Sequence, residues 1–296
     1  MAEIAAPAAQ PVKAALWMTG ALVSFSSMAI AGRELTGQYD TFEMMLYRSV
    51  TGLIIVLIAA GALGRLHEIT ARHMPLHIGR NLFHFSGQNL WFFAVGAIPL
   101  AQVFALEFTS PLWVMLVAPF VLGERWTGAR VAAAVIGFAG VLVVLRPGGG
   151  EVSAGVIAAG AASLCFAATF MFTKLLTRRV TTTCILFWLT FLQVFMGLAA
   201  AGYDGAIAAP TMAGAPWLLL IGCAGLLAHL CVTNALSIAP ATVVVPMDFL
   251  RLPLIALVGM ALYGEALDPF VLFGAALIFM GNYLNIWAES RRVTVL

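Results

Sequence analysis

Ten apolar runs of about twenty residues dominate this sequence, and a helix of that length crosses the hydrocarbon core of a bilayer. Hydrophobic residues make up 62% of the chain and charged residues only 9%. Soluble proteins, in contrast, carry about 25% charged residues. The sequence therefore predicts an all-α integral membrane protein with ten transmembrane helices, at roughly 14–32, 42–63, 77–97, 100–122, 128–145, 153–175, 183–202, 215–237, 241–262 and 269–288.

The positions of lysine and arginine predict the orientation of the chain, since cytoplasmic loops carry an excess of both. If the N-terminus is cytoplasmic, eleven of the 15 lie on that side, Arg33 and Arg146 lie on the other, and Arg48 and Arg251 lie within helices. We therefore expect a multi-pass protein of a bacterial-type inner membrane with both termini in the cytoplasm. The eleven are Lys13, Arg65, Arg72, Arg80, Arg125, Arg130, Lys174, Arg178, Arg179, Arg291 and Arg292.

A Gly-Glu pair closes two of the apolar runs, at Glu124 in "FVLGERWTG" and at Glu265 in "ALYGEALDP". Each repeat that these pairs define holds five helices. Because five is odd, the second repeat enters the membrane from the opposite side, an architecture common among secondary transporters. The glutamates lie 141 residues apart, and the same offset aligns Phe25 with Phe166, Arg33 with Lys174, Pro75 with Pro216, Pro99 with Pro240, Glu107 with Asp248 and Gly140 with Gly281.

This repeat predicts the domain organisation. We expect a first five-helix repeat over 13–147 and a second, inverted one over 153–288. The Ala/Pro-rich residues 1–12 are predicted to form a disordered cytoplasmic tail, and 289–296 a second tail. Each Gly-Glu lies between two helices, where the glutamate can meet the free N–H groups and the positive dipole end of the helix that follows.

Several short motifs accompany the repeat. Arg33 and Lys174 close the first helix of each half, Leu-Gly-Glu ends at Glu124, and "GFAGVLVVL" follows at 137–145. Together with the two five-helix repeats, which cover nearly the whole chain, these motifs resemble the drug/metabolite transporter superfamily, in particular its ten-helix EamA branch. The second half departs from that pattern with Tyr-Gly-Glu and with "IFMG" at 278–281. The resemblance implies a small-molecule transporter, often an exporter of amino acids or other metabolites.

The third predicted helix has a polar face. Asn81, His84, Gln88 and Trp91 fall within an arc of about 80° at 100° per residue. Polar residues at mid-depth in a membrane protein mark substrate pathways, so we predict that this face lines a substrate cavity. The alternative is a seam of interhelical hydrogen bonds, of about 0.6 kcal/mol per contact.

Other helices offer further candidates for substrate binding. The repeat offset places His229 of the eighth helix opposite Gln88, and Thr233 follows one turn later on the same face. Trp17 and Ser24 lie at helical spacing on the first helix. The alternatives are a structural, hydrogen-bonded histidine and, for Trp17, an aromatic anchor at the membrane interface.

Glu107 and Asp248 are acids at matching positions of the fourth and ninth helices. Arg251 lies three residues after Asp248, within reach of an ion pair. Glu107 has no such neighbour on its own helix, although Arg48 or His84 could reach it from another one. Charge pairing and proton coupling are both open interpretations of Glu107, Asp248 and Arg251.

The sequence does not favour an enzyme. An intramembrane hydrolase is the rival class, but no HExxH, Gly-x-Ser-x-Gly or paired catalytic-aspartate motif is present. His73 and His77 are spaced for a metal pair, but no carboxylate lies between them. We predict no metal, no cofactor and no nucleic-acid partner, and expect a monomer in contact with lipid.

Few fixed charges are expected in the cavity, and no cluster of lysine or arginine that would hold a sugar phosphate. We therefore expect a neutral or zwitterionic metabolite as the substrate, in particular an apolar or aromatic amino acid. The alternative is another metabolite or a lipophilic drug. The sequence leaves the direction of transport and proton coupling open.

Overall fold

The computed structural model describes residues 11–122, 128–145, 152–177, 179–203, 205–238, 247–248 and 250–293. Within these ranges the longer regular elements are all α-helices. A short 3-10 helix covers Leu66–Glu68. The α-helices are α1 (Pro11–Leu35), α2 (Thr41–Ala62), α3 (Met74–Ala97), α4 (Leu100–Glu107), α5 (Ser110–Leu122), α6 (Gly128–Leu145), α7 (Ala154–Thr177), α8 (Thr182–Ala201), α9 (Ala215–Ile238), α10 (Arg251–Tyr263) and α11 (Pro269–Val293).

Length and composition of the helices confirm a multi-pass membrane protein. Five described helices, namely α1, α2, α7, α8 and α9, are long and apolar enough to cross a membrane, and four shorter apolar stretches accompany them. Helix α3 has 24 residues but falls outside those five. The middle of α3 carries buried polar residues, whereas a helix that faces lipid carries apolar ones.

The packing of α6 against α11 shows the inverted repeat directly. A Cβ added at Gly140 would lie 2.5 Å from the carbonyl oxygen of Gly274, and one at Gly281 would lie 2.6 Å from that of Ala133. Both pairs of positions are related by the 141-residue offset, so the two contacts are images of each other. Glycine is needed there because the two helix backbones approach too closely for a side chain.

The remaining helices pair across the repeats in the same symmetric way. Helix α1 packs along α9, and its repeat equivalent α7 packs along α3, while the two second helices, α2 and α8, pack on each other. Gly20 of α1 lies against Cys231, and Gly87 of α3 lies against Cys165. The third helix of each repeat is therefore held at the interface with the other repeat.

Glu265 joins the two repeats at one face of the protein. Its carboxylate pairs with Arg33 at the end of α1, and Oε2 accepts a hydrogen bond from the Leu100 N–H at 2.9 Å. The prediction that this glutamate caps the helix that follows it was wrong, because it caps the N-terminus of α4 in the other repeat. The equivalent Glu124 lies outside the described residues.

The fourth membrane segment, predicted as one helix over 100–122, is broken. Helix α4 ends at Glu107 and α5 begins at Ser110, one residue before Pro111, which cannot donate a backbone hydrogen bond inside a helix. Helix α10 begins at Arg251, which is 141 residues after Ser110. The start of α10 thus matches the start of α5 in the first repeat, while residues 241–246 and 249 of the predicted ninth helix (241–262) lie outside the described residues.

Candidate functional site

Two histidines meet at the interface of the repeats. Nε2 of His84 on α3 lies 3.3 Å from Nε2 of His229 on α9. Phe25 packs edge-on against His229 with ring centroids 6.1 Å apart, and Phe166 lies 6.3 Å from His84. Phe25 and Phe166 are themselves related by the repeat offset. The histidine pair is therefore enclosed by aromatic rings from both repeats.

Gln193 of α8 connects this pair to other polar groups. Its side-chain N–H groups donate to Nδ1 of His84 at 2.9 Å and to Oδ1 of Asn81 at 3.2 Å. Its Oε1 accepts from Arg48 of α2 at 3.3 Å. In a neutral His84 ring, an Nδ1 that accepts from this amide leaves the ring proton on Nε2, which faces Nε2 of His229. We call these five residues, Arg48, Asn81, His84, Gln193 and His229, the central network.

Sequence reasoning missed Gln193, and it considered Arg48 only as a residue within a helix and a possible partner of Glu107. The signal for Gln193 was present, since it is the one amide in the apolar run of α8. Asn81, which was predicted, is oriented by its Nδ2, which donates to the carbonyls of His77 at 2.8 Å and Trp188 at 3.3 Å.

Arg80 corrects two expectations. It was counted among the cytoplasmic cations, but it is 3% exposed inside α3, with Nε donating to Thr173 of α7 at 2.7 Å. Arg48 of the central network is also buried, at 5% exposure. Two arginine side chains therefore lie in the protein interior, where the sequence had predicted few fixed charges.

A second polar cluster lies where α4 ends and α10 begins. Arg251 donates to Glu107 at 2.8 Å and to Asp248 at 3.0 Å, and Trp91 donates to the other oxygen of Glu107 at 2.8 Å. The partner of Glu107 is thus Arg251, and neither Arg48 nor His84, which the sequence had offered. We call these four residues the ion-pair cluster.

Aromatic rings surround the guanidinium group of this cluster. Arg251 lies over the rings of Phe25, Phe104 and Phe108, at 4.6, 4.9 and 5.3 Å from their centroids. Such cation–π contacts stabilise a cation that has left water. Because Phe25 also contacts His229, one ring separates the ion-pair cluster from the central network.

The other predicted site residues differ in their placement. Gln88 is buried, and its Nε2 has no partner. Ser24 is buried on α1, and the Thr233 hydroxyl donates to the His229 carbonyl at 2.7 Å. Trp17 is 39% exposed, and none of the hydrogen bonds of the described residues joins it to either cluster.

The described residues contain no group of three or more His, Cys, Asp or Glu side chains placed to hold a metal ion. His77 is fully buried, with its ring 6.1 Å from that of Trp188. His73 lies in the loop, 3.5 Å from a nitrogen of Arg179.

A pocket of about 360 Å³ lies beside the α1–α2 turn, where the Asp40 side chain already caps α2.

Two inverted helical repeats with a polar centre at their interface define the class of small-molecule membrane transporters. The chain belongs to the EamA-like transporter family, whose sequence pattern matches residues 12–146 and, a second time, residues 153–287. The predicted superfamily is thereby confirmed, as is the interpretation of the chain as a transporter rather than an enzyme.

Individual relatives extend over most of the chain. A riboflavin transporter of Rhizobium johnstonii is 30% identical over 98% of this chain and 96% of its own length. An S-adenosylmethionine uptake transporter of Rickettsia bellii is 24% identical over 94% of each chain. A pseudopaline exporter of Pseudomonas aeruginosa is 24% identical over 86% of this chain and 89% of its own.

The fold is also similar to that of a solved crystal structure. The TM-score is 0.65 at 20% sequence identity, and the similarity covers 95% of this chain and 98% of the other. At that identity the similarity supports the fold alone.

Proposed function

We propose that this protein is a secondary transporter for a neutral or zwitterionic metabolite with an aromatic or apolar body, and that it works by alternating access. The observation that carries the proposal is the contact of His84 with His229 across the repeat interface, inside a buried network of hydrogen bonds. Transporters built from such repeats bind their substrates near the bilayer midplane, where the repeats meet.

The chemistry of the central network fits such a substrate. Imidazole and amide groups both donate and accept hydrogen bonds, so they can satisfy an ammonium, a carboxylate or a neutral polar group. The unpartnered Nε2 of Gln88 is a further donor. Phe25 and Phe166 offer ring faces and edges to the apolar part of a ligand.

Glu265 supports an alternating-access mechanism. In this conformation its contacts with Arg33 and Leu100 hold α1, α4 and the α10–α11 loop together at one face. Release of that face requires these contacts to break, while rigid repeats rock around the central site. We propose that the protein lies in a bacterial inner membrane as a monomer with both termini cytoplasmic, so that this face is the external one.

Two forms of this function have specific support. Export of apolar or aromatic amino acids is the form that the sequence predicted, and the zwitterion matches the donors and acceptors of the central network. Riboflavin uptake is the second form, and the 30% identity to a riboflavin transporter over nearly the full length favours it. Riboflavin is neutral and has a flat aromatic ring system, so the same walls can accept it.

Transport by purified protein in liposomes tests the proposal. We expect labelled phenylalanine or labelled riboflavin to cross the membrane. If phenylalanine is carried, leucine should compete with it and glutamate should not. Each measurement is made with and without a pH gradient. His84→Ala should lower transport per folded molecule by about tenfold or more, since it breaks a buried network. The matched control is His67→Ala, because His67 lies exposed in the 3-10 helix.

Two results would contradict the proposal. One is transport of neither compound class, and no competition by either, under any gradient. The other is a His84→Ala protein that transports as well as the wild type.

Replacement of Gln88 and Trp91 by alanine extends the test. If those variants lose folded protein but keep transport per folded molecule, the polar face of α3 is a packing seam.

A further inference from the structure

Two buried arginines lack a described counter-ion. Arg48 is 5% exposed and Arg80 is 3% exposed. Each makes one hydrogen bond to a neutral group, Arg48 to Gln193 and Arg80 to Thr173. Nε of Arg48 and one terminal nitrogen of Arg80 are buried without any partner. Across the described ranges, no carboxylate lies within the 4.0 Å of an ion pair with either of them.

The described buried acids are already engaged elsewhere. Glu107 accepts from Arg251 and Trp91. Glu43 accepts from the Asp40 N–H at 3.0 Å and from the Ala208 N–H at 2.6 Å, so it serves the start of α2. Neither acid is available to Arg48 or Arg80.

A buried guanidinium group cannot relieve this situation by losing its proton. A buried charge persists in proteins when it is paired, and arginine presents a planar set of donors that matches a carboxylate. Gln193 links Arg48 to His84, and Arg80 precedes Asn81, which the same amide contacts. The uncompensated positive charge is therefore directed at the centre of the proposed transport site.

We infer that Arg48 and Arg80 form a subsite, which we call the arginine subsite, that takes the carboxylate group of the transported substrate. The inference rests on the proposed function and makes it more specific, because it selects carboxylate-bearing zwitterions over neutral riboflavin. The ammonium group of the zwitterion then faces the acceptors of the central network. Phe25 and Phe166 contact the side chain of the substrate.

Helix α9 packs closely against α2 beside Arg48. A Cβ on Gly225 of α9 would lie 2.7 Å from Nε of Arg48, and one on Gly222 would lie 2.5 Å from Thr51. The two glycines therefore make room for the Arg48 side chain between the helices. We assign a carboxylate because its two oxygens match the planar set of donors that a guanidinium group presents.

The first test needs no ligand and compares three buried arginines by their melting temperatures in neutral detergent. Arg48→Met and Arg80→Met each remove an uncompensated buried cation, so we expect an unchanged or higher melting temperature. Arg251→Met is the matched control and should lower it, because Glu107 and Asp248 lose their partner. If all three variants lower the melting temperature alike, Arg48 and Arg80 are structural and the inference fails.

The second test measures binding to the full-length protein by thermal shift. We expect phenylalanine and 3-phenylpropionate to stabilise the wild type, and phenylalaninol, which lacks the carboxylate, to have no effect. Arg48→Met should weaken phenylalanine binding by about thirtyfold or more, as expected for loss of one partner of a buried ion pair. Acetate, the simplest carboxylate, should also stabilise the wild type. The carboxylate assignment would be overturned if phenylalaninol stabilised the protein as much as phenylalanine does, or if inorganic phosphate stabilised it as much as acetate does.

The two proposals can fail separately. If acetate stabilises the protein in an Arg48-dependent way but no amino acid is transported, the arginine subsite stands and the transported class is wrong. If phenylalanine is transported equally well by the wild type, Arg48→Met and Arg80→Met, transport stands and the subsite is wrong.

Discussion

Arg251 lies between two carboxylates and three aromatic rings at the junction of the repeats. It pairs with Glu107, which lies 144 positions away in the sequence, and with Asp248, which lies three positions away. Removal of one member of such a buried set leaves the others charged and without a partner, which costs more than the pair contributes. Arg48 and Arg80 are in the opposite situation, and the same reasoning gives the opposite sign for their removal.

At this scale we predict that Arg251→Met lowers the free energy of unfolding by about 3 kcal/mol, the lower end of the range for a buried pair, because Glu107 and Asp248 lose their partner while their side chains are 16% and 30% exposed. Unfolding by denaturant in mixed micelles measures it. The control is Arg65→Met: Arg65 lies 3.8 Å from Glu68 and its side chain is 57% exposed, so its loss should cost at most about 1 kcal/mol. Equal effects of the two substitutions would show that the ion-pair cluster is not the origin of the difference.

Helices α6 and α11 are held together by close backbone contact rather than by polar groups. Gly140 and Gly281 each face a carbonyl oxygen of the other helix at a distance that excludes a methyl group. Such small-residue contacts are the common means of packing helices in lipid, where the hydrophobic effect does not drive helices together. The equivalence of the two contacts means that both repeats use the same device.

The corresponding prediction is that Gly140→Ala and Gly281→Ala each destabilise the protein by about 1–3 kcal/mol, since the added methyl group pushes two backbones apart. Gly160→Ala in α7 is the matched control. Nothing lies within 4 Å of the Cβ that it adds, and alanine favours a helix over glycine by about 0.8–1.0 kcal/mol. We expect the melting temperature to fall for the first two variants and to hold or rise for the third; a fall in all three would contradict the contact model.

The whole molecule is organised by an approximate two-fold relation between its halves. The turn after α1, the loop before α4 and the α10–α11 loop meet at one face. The loop after α2 meets the start of α8 at the other, where Trp188 donates to the Thr70 carbonyl at 2.8 Å. The two repeats are thus in contact at both of these faces.

We predict that cysteines introduced by Arg125→Cys and Ala266→Cys react with a membrane-impermeant maleimide from opposite sides. The reason is the odd number of helices between the two loops. Right-side-out and inside-out vesicles, in a variant without the four native cysteines, make the measurement, and position 266 should react from the outside. Reaction of both from the same side would refute the inverted topology, and a reversed pattern would refute cytoplasmic termini.

The extent of prediction differs between particular residues. Asn81, His84, Gln88 and Trp91 share one face of α3, and that face was readable because helical periodicity is a property of one segment. Three of these four residues belong to the two clusters: Asn81 and His84 to the central network, and Trp91 to the ion-pair cluster. Gln193 was not predicted: it is the one amide in the apolar run of α8, but only the packing of α8 against α3 places that amide opposite His84. Arg80 was assigned to a surface because charge alone does not show how deeply a helix residue is buried.

The apolar segments and the 141-residue offset can be read from the sequence alone. Together they predicted the membrane environment and the inverted architecture. These follow from hydropathy and from counting helices, which need no knowledge of neighbours in space. The partners of Glu265, Glu107 and Arg48 depended on the tertiary structure, because each lies on another helix and many helix arrangements satisfy the same hydropathy pattern. Hydrogen bonds and ion pairs depend on distances of a few ångströms, and only the packing of α2, α3, α8 and α9 sets those distances at the centre of the protein.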